Sequence, residues 1–161
     1  MRTRSLAGRV VQAAAIAVGS VVVLSGCGGS DRVPKLAALP VVRGAHVVSK
    51  VRVCDKGSNR YCALELVFTD PHYASPRDLV LAESKLLRAH RWSGASAQTG
   101  DELADESPGN GLRLTYATAY GDLHDIEFGW VQRTRQTQEA LSKQMFAGAV
   151  AMSAQLQVGS Q

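Results

Sequence analysis

Aromatic residues make up only 6% of this 161-residue chain, and three cysteines and four histidines are spread thinly along it. Each shortage excludes something. No Cys-x-x-Cys pair exists, so neither a thioredoxin-type redox centre nor a zinc ribbon is encoded. The histidines (His46, His72, His90 and His124) include no pair four residues apart, and there is no His-Glu-x-x-His. No serine sits in a Gly-x-Ser-x-Gly elbow. The one dense glycine stretch, Gly26 with Gly28 and Gly29, follows no strand and makes no phosphate cradle. No apolar run reaches the ~20 residues that cross a bilayer as a helix. The sequence thus names no reaction, catalytic residue, cofactor or resident metal.

What is present begins with the leader. Arg2, Arg4 and Arg9 form a basic opening, and Val10 to Leu24 carries no charge and is mostly Ala, Val, Ile and Leu. That is the length of a signal-peptide apolar region. Arg2 and Arg4 are not adjacent, so there is no twin-arginine signal. The run ends in Leu24-Ser25-Gly26-Cys27, and small residues there let an extended chain enter a peptidase.

These four residues resemble the lipobox of bacterial lipoproteins: Leu, two small residues, then Cys. The resemblance covers only about residues 1–27. It implies lipid transfer to the Cys27 sulfur, cleavage after Gly26, and a mature chain held by lipid on the extracytoplasmic face of the cell membrane. The bland readings of the same residues are an ordinary secretory signal or a single membrane helix with a stray Cys.

Export changes how the rest is read. The formal charge of +4 includes the three leader arginines, so the chain from Cys27 onward is near +1. That is no nucleic-acid footprint. Cys54 and Cys62 remain as an even pair in an oxidising compartment, which favours a disulfide over two free thiols or a metal pair.

Residues 27–44 are rich in Gly, Ser and Pro and read as a tether, with "LAALPVV" apolar enough to dock in part. Residues 45–161 read as one α+β domain. Val47, Val51 and Val53 alternate with Lys50 and Arg52, a half-buried strand. After the turn "DKGSNR", the return strand points Leu64, Leu66 and Phe68 inward. On strict alternation Cys62 then lies on the core face and Cys54 on the outer, so their bond calls for a bulge or for a position in the loop where alternation no longer holds.

Ser75, Pro76 and Asp78 open a helix whose apolar stripe is Leu79, Ala82, Leu86 and Ala89, ending near His90. Residues 92–98 allow a short strand. Asp101, Glu102, Asp105 and Glu106 read as a hydrated loop without the spacing of a calcium hand. "LRLTYATAY" and "IEFGW" alternate and predict a second hairpin around the turn "GDLHD", with Ile126, Phe128 and Trp130 sharing a face. Thr134 to Gln157 predicts one long final helix, through Leu141, Met145, Ala149, Met152 and Leu156. Trp92 and Trp130 default to the core. The expected architecture is an antiparallel sheet of four to five strands with two helices on one face.

Two functions fit. The first is a non-enzymatic binding module for an envelope protein or component, with the membrane as its other partner through the anchor. The second is a small hydrolase or metal-dependent enzyme using His124 with Asp122 or Asp125, since carboxylates beside an imidazole tune it as a base or ligand. The bland reading of Asp122-Leu123-His124-Asp125 is a polar turn.

Overall fold

A computed structural model describes residues 33–55, 61–97, 101–109 and 111–158. The leader, Cys27, and the tip of the first turn with Gly57 and Asn59 lie outside the described residues. After a short 3-10 turn at Leu36–Ala38, the order is β1 (His46–Cys54), β2 (Cys62–Thr69), α1 (Pro76–Ala89), β3 (Ser93–Ala95), β4 (Leu103–Glu106), β5 (Leu112–Thr118), α2 (Ala119–Glu127), α3 (Arg135–Phe146) and β6 (Ala151–Val158). The class is α+β, with a single antiparallel sheet of six strands ordered β1-β2-β6-β5-β4-β3. The C-terminal strand therefore sits in the middle and joins the first hairpin to the β3–β5 half.

Six strands and three helices stand where four to five strands and two helices were expected, and the helices cover both faces of the sheet, not one. Leu64, Leu66 and Phe68 pack with Leu114, Tyr116, Met152, Ala154 and Leu156 against Leu79, Val80 and Leu87 of α1. The alternate residue Val67 packs with Ala119, Leu141 and Ala151 on the α2/α3 side. Alternation along a strand sends neighbours to opposite faces, so the two clusters lie on opposite sides. The apolar end of the expected tether completes the first: Leu39 and Val42 are buried there, with Leu36 and Val41 beside them.

The first hairpin pairs Arg52 with Leu64 and Cys54 with Cys62, and the cysteines are disulfide-bonded with Cα atoms 4.1 Å apart. Asp55 N–H donates to the Tyr61 carbonyl, so the cysteines occupy the adjacent non-hydrogen-bonded position, where strands approach most closely. The expected conflict of faces does not arise. Val51 and Val53 pair with Glu65 and Ala63 and face α3, while Leu64, Leu66 and both cysteines face the α1 side. A bulge exists, but between Val47 and Ser49, and it moves Val47 to the face opposite Val51.

Helix α1 starts as its sequence predicts: Ser75 Oγ accepts from Asp78 N–H at 3.2 Å, with Pro76 first in the helix. Its buried stripe is Leu79, Val80, Glu83, Ser84 and Leu87, rotated from the expected one because two polar residues point inward. The expected second hairpin is instead β5 followed by helix α2. Thr118 caps it by accepting from Gly121 N–H, and Gly129 at φ 73° ends it. The expected long last helix is broken at Gly148, φ 65°, after which "AMSAQLQV" forms the central strand. The expected acidic loop contains β4.

Candidate functional site

Among the described residues, three polar clusters hold most of the chemistry-bearing side chains. The first is buried between the sheet and the α2/α3 layer. Arg133 donates to Asp122 at 2.9 Å, to Glu102 at 3.4 Å and to the Gln155 side chain at 3.0 Å. Ser153 Oγ donates to the other Asp122 oxygen at 2.7 Å. Burial raises the Asp122 carboxyl above its ordinary range, against the pull of the Arg133 guanidinium. Glu65, also buried, accepts from Thr134 N–H at 2.9 Å, Thr134 Oγ at 2.6 Å and Thr137 Oγ at 2.7 Å, holding the N-terminus of α3 to the sheet. These groups bind one another, and Glu65, Glu102, Asp122, Arg133 and Ser153 are buried.

The second cluster lies under α1. The Glu83 carboxylate accepts from Val42 N–H at 2.9 Å, and Tyr116 donates to Asp105 at 2.6 Å. Burial pushes the Glu83 carboxyl up to about 7, with only the Val42 hydrogen bond opposing. Nearby, at the end of β2, the His72 backbone N–H and ring Nδ1 both donate to the buried Asp70, at 2.9 and 2.7 Å. Burial works against the Asp70 charge, but these bonds outweigh it and hold the carboxyl below its ordinary value.

The third cluster is on the surface, around His124. Residues 120 and 124 on α2 and 128 at its C-terminal cap follow one another at four-residue spacing, so their rings share one face. Tyr120 and His124 rings are 6.1 Å apart and stacked, and His124 and Phe128 are 4.7 Å apart. Gly129 then turns the chain back, with Trp130 N–H donating to the Asp125 carbonyl at 2.9 Å. That lays the Trp130 indole against Phe128 at 5.1 Å, interplanar angle 27°, and edge-on to His124. Tyr120, Phe128 and Trp130 are 68%, 59% and 57% exposed. Of the two tryptophans expected in the core, Trp92 is buried and Trp130 is not.

Beside the rings, Asp101, His124 and Asp125 bring one ligand atom each within 4.8 Å of one another. Asp125 is buried and Asp101 exposed. The structure therefore joins His124 to Asp125 and separates it from Asp122, which faces Arg133 from the buried side of the same helix. Asp101, expected only as a hydrated loop residue, joins His124 because Gly121 lets it approach. A Cβ at 121 would lie 3.2 Å from the Asp101 Cβ. Sequence reasoning paired His124 with Asp125 but missed Asp101 and the ring face, because it read residues 121–125 as a turn between strands. The signals were Thr118 as cap and Gly129 as stop.

No protein-family model, curated protein or solved structure matches the chain. Among the described residues no helix is long and apolar enough to cross a membrane.

Proposed function

We propose that the protein is a lipid-anchored binding module of the extracytoplasmic membrane face, and that it recognises an envelope protein or component through the rings of Tyr120, His124, Phe128 and Trp130. The anchor rests on the likeness of Leu24–Cys27 to a lipobox. A diacylglyceryl group on Cys27 supplies two chains, enough for stable anchoring where one is marginal. The observation that carries the recognition role is the ring cluster itself. A chain with few aromatics leaves three of its largest side chains exposed and mutually packed, instead of in either core. Such rings offer large contact area for little lost rotamer freedom, and Trp and Tyr dominate binding hot spots. Each ring buried on association contributes on the order of 1.5–3 kcal/mol.

A hydrolytic role through Asp122 has no support, because that carboxylate is bound to Arg133 and Ser153. The test has two arms. Wild-type protein takes up labelled palmitate and Cys27→Ser does not; an unlabelled wild type contradicts the anchor. Crosslinking in the native envelope captures a discrete partner that Phe128→Ala/Trp130→Ala loses while its thermal melt is unchanged. Capture that survives the double substitution contradicts the recognition surface.

A further inference from the structure

We propose that Asp101, His124 and Asp125 form a binding site for a divalent first-row transition-metal ion. The inference rests on side-chain geometry alone and stands whether or not the ring cluster binds a partner.

Two carboxylates and an imidazole reach one point from two separate parts of the chain, with every ligand atom within 4.8 Å of the others. Ligands about 2.1 Å from an ion sit roughly 3–4 Å apart in tetrahedral or octahedral geometry. The His124 Nδ1 to Asp125 Oδ1 separation is 3.5 Å. That is long for a charge-assisted hydrogen bond, for which about 2.8 Å is usual, and it matches the edge between two ligands of one ion. Asp101 is the exposed member of the three.

The surroundings hold the ligands in place. Asp125 is buried on α2, and its carbonyl accepts from Trp130 and Val131 N–H at 2.9 and 3.3 Å, which fixes the helix end. The His124 ring is packed by Phe128 on one side and met edge-on by Trp130. At Gly121 the missing side chain admits the Asp101 loop to the first turn of α2. One nitrogen and two carboxylate oxygens suit zinc, manganese, iron(II), cobalt or nickel better than calcium or magnesium, which favour all-oxygen cages. Three protein ligands leave coordination positions for water or for an oxygen of a ligand seated on the rings.

The test uses the full chain purified in detergent, titrated with zinc chloride by calorimetry and with cobalt chloride by tryptophan fluorescence. The expected result is one zinc ion per chain. Cobalt should quench part of the emission, because Trp130 lies 6.1 Å from the His124 ring. His124→Gln and Asp101→Asn each remove a solvent-accessible ligand and should weaken zinc at least about tenfold and abolish the quench, with unchanged melts. Wild-type protein that binds no zinc at millimolar concentration overturns the proposal, as does either variant binding as wild type does. If a variant melts early, its serine counterpart (His124→Ser or Asp101→Ser) is read by the same criterion.

Discussion

Glu83 is a carboxylate in an apolar place. It lies on the inward face of α1 and accepts from Val42 N–H, which comes from the segment that precedes the first strand. Burial raises its carboxyl from 4.5 to about 7. The folded state therefore holds this proton more tightly than the unfolded chain does. Its contribution is fully present below about pH 4.5 and is lost as pH rises through about 7, on the order of 3 kcal/mol across the window. Asp122, also raised, tilts stability in the same direction. Glu83→Gln keeps an acceptor for Val42 and removes the titration. Urea melts between pH 5 and 8 should show a flatter pH profile than wild type and higher stability at pH 8; a profile parallel to wild type contradicts this reading. Arg133 is the opposite case, a buried cation with two carboxylates around it. Arg133→Met leaves Asp122 and Glu102 without that charge and should destabilise the fold by about 3–5 kcal/mol, with part recovered on adding Asp122→Asn. Equal urea midpoints for wild type and Arg133→Met would remove the network from the account of stability.

At the scale of elements, the disulfide closes a hairpin whose outer strand is an edge. Cys54 and Cys62, eight apart in sequence, pin the register in which Leu64 and Leu66 face the core. Replacing both by serine should lower stability by roughly 2–3 kcal/mol, read as a shift in urea midpoint between oxidised wild type and the double variant. An unchanged midpoint contradicts it. The hairpin and the start of α1 were legible because their signals are local: alternating residues around a polar turn, and a Ser-Pro-x-Asp cap. The even cysteine pair was legible for the same reason. What failed were places where one pattern overlaid another. Leu141, Met145, Ala149, Met152 and Leu156 keep helical spacing by coincidence, although Met152 and Leu156 also share one face of a strand. Only Gly148 at positive φ marks the break. Ile126, Phe128 and Trp130 alternate like a strand, yet Phe128 is the cap of a helix that Thr118 opens. The face error at β1 came from assuming one core. With helices on both sides of the sheet, Val51 and Leu64 are each inward-facing, toward different layers.

For the whole molecule, the rings sit on and just after α2, which packs on β5 and β6, whereas the disulfide joins β1 to β2 at the edge of the sheet. The site was only partly legible because it is assembled by tertiary structure. His124 and Asp125 stood out as neighbours, but Asp101 joins them only once α2 forms and Gly121 admits its loop. Helix α1 lies on one side of the sheet and the rings on the other. This arrangement sets the most direct measurement of the central proposal, that the rings are the surface a partner meets. A photo-crosslinking amino acid is introduced in place of Tyr120, on the ring face, or of Leu81, which is 51% exposed on α1 behind the sheet. Each protein is expressed in its native envelope and irradiated. The account predicts a discrete higher-mass adduct from position 120 and none from position 81. No adduct at 120, or the same adduct from both positions, would contradict it.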